Sequence, residues 1–356
     1  MSLEQRLKAQ ILQQGPMTVA QYMSQCLHDP EHGYYATRPR LGADGDFITA
    51  PMVSQMFGEL IGLWCAETWR LMRRPERVIL AEVGPGDGSL ISDALRALKL
   101  EPGLLRAAEL WLVETSPPLR QRQAEAVAGA PLEPNWAGRL DELPRDAPLI
   151  LIANEVLDCL PVNQFVFTPR GWVMRMVGLD DRGELAFGLA AAPVPDPLPD
   201  GQPGAIAETA SGQWAFASEV AERIIGQGGA ALLIDYGRSQ PGFGDTFQAL
   251  KGHRKVSPLE SPGEADLTFH ADFPTVLGAA SALGARTGLA TQRRFLMRLG
   301  VVQRAEALAR ARPDRAETIA RQLDRLIGQD QMGELFKAAC VHSMGLQPPA
   351  FEEARS

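Results

Sequence analysis

Three glycines alternate with other residues directly after a short apolar run, in the segment VILAEVGPGDGSL at residues 78–90. The apolar run predicts a buried parallel strand, and Gly84, Gly86 and Gly88 would let the chain turn sharply into a helix. No Lys-Ser or Lys-Thr pair follows Gly88, so the turn is not a Walker A loop. Its G-x-G-x-G spacing also departs from the G-x-G-x-x-G of dinucleotide-binding turns. The pattern predicts a ligand-binding turn, with a purely structural turn as the alternative.

Two acidic residues lie where the first two strands of this region are predicted to end. Glu82 comes just before the turn, where its charge would repel a pyrophosphate but attract an ammonium group. Glu114 ends the next predicted strand and could accept hydrogen bonds from both hydroxyls of a ribose, which would suit NAD equally well. S-adenosylmethionine (SAM) carries an ammonium, a sulfonium and a ribose diol but no phosphate. The acids and the glycine spacing together therefore favour SAM over a dinucleotide.

Further polar residues occur in the segment LIANEVLDCLPV at residues 151–162. Asn154 and Glu155 come just after a predicted buried strand, at the sheet edge where open α/β folds bind ligands. Asp158 follows three residues later, so one helical turn would place both carboxylates on one face, where they could hold a guanidinium group. The alternative is that Asn154 caps a short helix and the acids complement its dipole.

The elements that must position these residues alternate between strand and helix from residue 78 onward, which predicts a doubly wound parallel sheet. Residues 1–75 look mostly helical, and Ser54 is the predicted cap of one of these helices. QFVFT and GWVMRMVGL, at residues 164–168 and 171–179, predict an inserted hairpin. The later helices are predicted to break near Pro313, and FKAACVHSMG could form a last strand.

The composition limits the function classes. The chain has 356 residues, of which 45% are hydrophobic, and a net charge of −8 that argues against a nucleic-acid-binding surface. Its four cysteines form no CxxC pair, and its histidines are better explained as structural residues than as ligands, so we expect a reducing compartment and no metal. The first residues lack the pattern of a signal or transit peptide, and no apolar run reaches the roughly 20 residues of a membrane span. These features predict a soluble, cytoplasmic protein.

Several segments, in order and over nearly the whole chain, resemble the MidA family of class I SAM-dependent methyltransferases. They are HGYY (32–35), GDFITAPMVSQMFGELIGLW (45–64), EVGPGDGSL (82–90), LVETSPPLRQRQ (112–123), ANEVLDCLPVNQF (153–165), LLIDYG (232–237), ADLTFH (265–270), TQRRFLMRLG (291–300) and MGELFK (332–337). The mitochondrial member of that family acts in respiratory complex I assembly and dimethylates an arginine of a complex I subunit.

The resemblance implies an α/β fold, with a Rossmann-like class I methyltransferase sheet, helical N-terminal and C-terminal additions and an inserted β-hairpin. We expect a helical N-terminal region and lid at residues 1–75. A SAM-binding core would follow at 76–250, with the hairpin insertion at about 162–205. A C-terminal helical region at 251–356 would complete the core sheet.

The resemblance also assigns roles to individual residues. The implied cofactor-binding residues are Glu82, Gly84, Pro85, Gly86, Gly88, Glu114, Asp46, Thr49 and Asn154. The implied catalytic residues, next to the transferring methyl group, are Glu155, Asp158 and Asn154. Tyr34 and Tyr35 could frame a cationic side chain, although paired aromatics of this kind are more often core residues.

We therefore predict a SAM-dependent methyltransferase that modifies arginine on a protein, such as a complex I subunit. The alternatives are a small-molecule methyltransferase and a SAM-binding assembly factor without activity. A nicotinamide oxidoreductase would need the glycine spacing that this sequence lacks.

Overall fold

The computed structural model describes residues 1–37, 49–194, 198–199 and 201–351. The helices are α1 Leu3–Gln14, α2 Val19–His28, α3 Tyr34–Thr37, α4 Ala50–Val53, α5 Gln55–Leu71, α6 Ser89–Leu98, α7 Pro102–Ala107, α8 Pro117–Ala126, α9 Ser211–Gln227, α10 Phe273–Ala282, α11 Gln292–Arg298, α12 Val301–Ala311 and α13 Ala316–Ile327. The strands are β1 Met17–Thr18, β2 Val78–Val83, β3 Ala108–Val113, β4 Pro134–Ala137, β5 Leu149–Asn154, β6 Asn163–Thr168, β7 Gly171–Leu179, β8 Leu185–Ala190, β9 Ile206–Thr209, β10 Gly229–Arg238, β11 Gln248–Lys251, β12 Arg254–Val256, β13 Asp266–Thr268, β14 Ala271–Asp272, β15 Arg286–Thr291 and β16 Phe336–His342.

The described residues form two compact units, each assembled from separate parts of the chain. The first unit takes its residues from Met1–Phe47, Leu157–Ala215 and Arg238–Thr275. The second takes its residues from Ile48–Val156, Phe216–Gly237 and Val276–Ser356. The division into three consecutive regions stays a prediction.

The second unit contains a central sheet with the strand order β15-β16-β10-β5-β2-β3-β4. The pairs from β10 to β4 are parallel, whereas β16 is antiparallel to both of its neighbours. The central strands β2 and β5 are apolar except for Glu82 and Asn154 near their carboxyl ends, and every residue of β5 is buried. This sheet confirms the predicted α/β fold and the predicted last strand.

The helix before the sheet lies unusually close to the helix after the glycine turn. Ser54 caps α5 by accepting a hydrogen bond from the backbone N–H of Met56 at 3.3 Å, as predicted. Gly58 and Gly62, one turn apart on α5, face α6, and a Cβ atom on Gly62 would lie 2.6 Å from the carbonyl oxygen of Ala94. The two glycines therefore let the helix backbones approach each other and fix where α6 begins relative to the sheet.

The first unit confirms the predicted inserted hairpin. β6 and β7 pair antiparallel with Thr168 opposite Gly171, and β1, β8 and β9 extend the pair into a five-stranded sheet. A smaller sheet has the order β12-β11-β13. The helices α1 and α2 begin with capping boxes at Ser2 and Thr18, and their apolar faces join the core of this unit.

The C-terminal helices are interrupted as predicted: α12 ends before Pro313, and α13 begins after a short 3₁₀ turn. Among the residues that the structure describes, no helix has the length and apolar character needed to cross a membrane.

The close approach of α5 and α6 predicts opposite effects for the same substitution at two helical glycines. Gly62→Ala should lower the free energy of unfolding by about 1–3 kcal/mol, because overpacking against α6 outweighs the roughly 1 kcal/mol gained in helix propensity. Gly226→Ala in α9 should raise it by about 0.5–1 kcal/mol, because nothing lies within 4 Å of its added Cβ. Urea unfolding of both variants measures the two changes. Equal stabilisation by both would contradict the close approach.

Candidate functional site

The glycine turn follows β2 and leads directly into α6. Gly84, Gly86 and Gly88 have φ angles of +62°, +56° and +84°, which other residues rarely adopt. The turn is held by hydrogen bonds from the Gly84 N–H to the Val113 carbonyl at 3.0 Å and from the Gly88 N–H to the Pro85 carbonyl at 2.9 Å. The turn thus presents backbone rather than side chains at the carboxyl edge of the sheet.

Glu82 is a buried carboxylic acid at the end of β2. Its side chain is 2% exposed, and burial, reinforced by the negative charge of Asp87, raises its pKa to about 8. Its Oε2 atom is buried without a hydrogen-bond partner. A buried acceptor of this kind next to an open backbone turn fits a cationic ligand, which would ionise the carboxyl group and supply the missing hydrogen bond.

Glu114 lies directly after β3, at the same edge. Its Oε1 accepts a hydrogen bond from the Ser116 backbone N–H at 2.8 Å, and its Oε2 accepts one from Gln123 Nε2 at 3.2 Å. Burial raises the pKa of Glu114, while these hydrogen bonds act in the opposite direction. A carboxylate offers about four acceptor positions, so Glu114 can still accept a hydrogen bond from a hydroxyl-bearing ligand.

Asn154 and Glu155 follow at the end of β5. Glu155 has a φ of +55°, a conformation that is costly for a residue with a side chain, and its N–H donates to the Ile234 carbonyl of β10 at 2.8 Å. Its Oε1 accepts hydrogen bonds from Asn154 Nδ2 at 3.2 Å and from the Ala50 backbone N–H at 3.4 Å. Asn154 Oδ1 is buried without a partner. A strained turn with an unsatisfied acceptor is typical of a site completed by a ligand.

The helical turn predicted to carry Glu155 and Asp158 is absent. Residues 155–160 form bends and turns, because the left-handed conformation of Glu155 is incompatible with a helix. This also excludes the alternative in which Asn154 caps a short helix there. Glu155 belongs to the second unit and Asp158 to the first.

In the first unit, Asp158 is 4% exposed and lies among polar side chains. Its Oδ1 accepts a hydrogen bond from Cys159 Sγ at 3.2 Å, and that sulfur lies 2.8 Å from the hydroxyl oxygen of Tyr35. The Tyr35 hydroxyl also donates to Asp266 Oδ1 at 3.3 Å. Tyr35 packs edge-on against the buried Tyr34, with ring centroids 5.3 Å apart. Sequence reasoning had not connected Asp266 or Cys159 to Asp158, since the three are brought together only by the fold.

The remaining predicted residues are distributed as follows. Pro85 is buried inside the glycine turn, and Thr49 is the residue before α4, next to the Ala50 N–H that reaches Glu155. Asp46 lies outside the described residues. No group of three or more potential metal ligands occurs in the part of the chain that the structure describes.

Residues 60–291 match a family model described as "Putative S-adenosyl-L-methionine-dependent methyltransferase". The fold and the site thus define a SAM-dependent methyltransferase. The chain belongs to this family, of which SAM is the cofactor.

The chain is also similar to named proteins over most of its length. It is 34% identical to "Protein arginine methyltransferase NDUFAF7, mitochondrial" of Danio rerio, over 94% of this chain and 86% of that protein. The human protein of the same name is 33% identical over 90% of this chain and 79% of its own length. A crystal structure of a Burkholderia thailandensis protein bound to S-adenosyl-homocysteine (SAH) superimposes with a TM-score of 0.86, at 26% identity, covering 97% of this chain and 92% of that one.

The names of these relatives overturn one prediction. Both NDUFAF7 proteins are named as mitochondrial, so the predicted cytoplasmic location is wrong. The prediction rested on the absence of a recognisable targeting pattern near residue 1, which does not report where a protein of this family works.

The raised pKa of Glu82 predicts that SAH binding depends on pH. At pH 6 the carboxyl group is protonated and must lose its proton to pair with the ligand's ammonium, so the Kd should fall as the pH rises and level off above about 8. The fall should approach about tenfold per pH unit between pH 6 and 7. The same pKa shift favours the protonated folded state, so the stability of the ligand-free protein should decrease as the pH rises from about 4.5 to about 8.

Isothermal titration calorimetry from pH 6 to 8 measures this dependence, with proton release detected by comparing buffers of different ionisation enthalpy. Glu82→Gln should bind SAH more weakly at pH 8 and show no comparable pH dependence. A wild-type Kd that is constant over this range would contradict the assignment.

Proposed function

We propose that this protein is a protein arginine N-methyltransferase in which Glu155, Asp158 and Asn154 act on the arginine. The similarity to proteins named as arginine methyltransferases, over 94% of the chain in one case, supports this substrate class. The structural observation that carries the proposal is the strained Glu155, whose carboxylate is held at the same sheet edge as the glycine turn. A carboxylate in that place is the group that a guanidinium requires.

On the cofactor side, the proposal assigns one part of SAM to each feature of the edge. Glu82 would pair with the ammonium group, Gly84, Pro85, Gly86 and Gly88 would border the methionine part, and Glu114 would accept from the ribose hydroxyls. Asp46 and Thr49 belong to the segment proposed to cover the cofactor, and Asn154 would border the transferring methyl group. When bound, SAM supplies an electrophilic methyl group on its sulfonium.

On the acceptor side, the chain has to orient a cation rather than to activate a strong nucleophile. The pKa of a free arginine lies far above neutral, so the guanidinium would bind in its charged form. One nitrogen would gain the methyl group as the bond from that group to sulfur breaks, SAH would leave, and the proton of the nitrogen would pass to solvent. Glu155 would hold the guanidinium in line with the methyl group, and alignment alone can contribute roughly 7–11 kcal/mol to catalysis. Asp158 would be the second acidic residue that acts on the arginine.

The finer part of the proposal is that the modified protein is a subunit of respiratory complex I, which the resemblance to the MidA family favours. Incubation of the protein with methyl-labelled SAM and a complex I preparation, followed by mass spectrometry, should reveal methylated arginine on one subunit. Methylated arginine only on proteins outside complex I would exclude a complex I substrate but would still support arginine methylation. Label exclusively on small molecules would contradict the protein substrate.

Substitution of Glu155 tests its side of the site. Glu155→Gln keeps the size of the side chain but removes the charge, so single-turnover methylation should fall on the order of 100-fold, corresponding to about 3 kcal/mol. SAH affinity should stay within a few-fold of wild type. Asp158→Asn should reduce turnover in the same direction but less.

Measurement of both SAH affinity and methylation rate shows whether Glu155 acts on the arginine, on the cofactor or on neither. Lost SAH binding in a folded Glu155→Gln variant would move this residue to the cofactor. Full activity with unchanged affinity would remove it from the site. Glu222→Gln, at an exposed position on α9, is a matched control that should change neither quantity.

A further inference from the structure

Gln123 connects the glycine turn to Glu114 through a single buried amide. It lies on α8, is fully buried, and its Nε2 donates to the Gly86 carbonyl at 2.9 Å and to Glu114 Oε2 at 3.2 Å. Gly86 belongs to the turn after β2 and Glu114 follows β3. One NH₂ group thus binds the glycine turn with one hydrogen and the carboxylate with the other.

The orientation of this amide is fixed from its other end. Gln123 Oε1 accepts a hydrogen bond from the indole Nε1–H of Trp136 on β4 at 2.9 Å. If the amide were flipped, its oxygen would face both the Gly86 carbonyl and the Glu114 carboxylate, and the indole would face an NH₂ group. Trp136 therefore selects the only orientation in which all three partners are satisfied.

The helix α8, which carries Gln123, is also held at the ends of β3 and β4. Arg120, one turn earlier on α8, donates to the Glu114 backbone carbonyl at 2.8 Å and to the Ala137 carbonyl at 3.1 Å. On the other side, Gly88 touches the helix so closely that a Cβ atom there would lie 3.1 Å from Gln123 Cα. The distance between the turn and the carboxylate is thus set by one rigid element.

We propose that Gln123 is a positioning residue for SAM, which holds Glu114 in the orientation that accepts the ribose hydroxyls while it fixes the glycine turn. The inference rests on the proposed function of these two elements as the cofactor site. Without the Gln123 amide, Glu114 Oε2 and the Gly86 carbonyl each lose a donor, and the carboxylate is held only from the side of the Ser116 N–H, which lets Oε2 move away from the ribose. The part of the SAM affinity that comes from the hydroxyls should then disappear.

The test compares two ligands, SAH and its 2′,3′-dideoxy analogue, by calorimetry on the full chain. Wild type should bind SAH at least tenfold more tightly than the analogue. Gln123→Met keeps the length and volume of the side chain but removes its hydrogen bonds, and should bring the two Kd values within about threefold, mainly by weakening SAH. Gln121→Met is the matched control, since Gln121 is exposed on the same helix and donates to Glu125 Oε1 at 3.3 Å, and it should keep the wild-type ratio.

The outcomes separate the positioning role from the function on which it rests. A wild-type ratio in folded Gln123→Met would overturn the positioning role and leave the cofactor site intact. If the wild-type protein binds SAH and the dideoxy analogue equally well, both the positioning role of Gln123 and the proposed ribose-binding role of Glu114 are overturned. If Gln123→Met yields too little folded protein, Trp136→Phe takes its place, because it removes the hydrogen bond that orients the Gln123 amide. A smaller difference between the Kd values of SAH and the analogue than in wild type supports the positioning role. An unchanged difference contradicts it.

Discussion

The parallel register of three buried strands is the constraint on which the candidate site depends. Val83 of β2 is paired with Val113 of β3 on one side and with Ala153 of β5 on the other. The residues that follow these positions must therefore emerge at one edge, whatever their distance in sequence. The hydrogen bonds of the parallel ladder hold this register along both sides of β2.

Polar groups at this edge are kept in states that a well-packed core would avoid. Glu82 is buried with an unsatisfied oxygen, Asn154 has a second one, and Glu155 adopts a left-handed conformation. Each costs stability in the ligand-free protein, on the order of 1–3 kcal/mol. These three features occur where two neighbouring strands end, which fits a ligand site better than a structural turn.

Much of this arrangement could be predicted from sequence because it is encoded locally. Apolar strands, the glycine turn and the cap at Ser54 are each specified within a few residues, and the hairpin at Thr168–Gly171 follows from alternation and spacing. The helical turn after Asn154 was predicted wrongly, because the three-residue spacing of the two acids is also compatible with a left-handed turn. Such a turn is set by the hydrogen bond from Glu155 to Ile234, 79 residues further along the chain.

Contacts between distant segments explain the other omissions. β15 has the sequence RTGLAT, which carries few strand signals, and it joins the sheet by pairing with β16. Gln123 looks like one more polar residue in a helix rich in glutamine and arginine, and its importance depends on Gly86, Glu114 and Trp136. Sequence patterns report which face of an element is buried, but not which atoms meet there.

The position of β16 between β10 and β15 has a consequence for biosynthesis. β15 reaches the sheet only by pairing with β16, yet β16 is made about 45 residues later than β15. While the ribosome is still translating residues 292–335, β10 presents an open edge and β15 has no partner, a condition that favours association with other chains. The nascent protein therefore has to be protected until residues 336–342 have left the exit tunnel, because only then can β15 and β16 join the sheet.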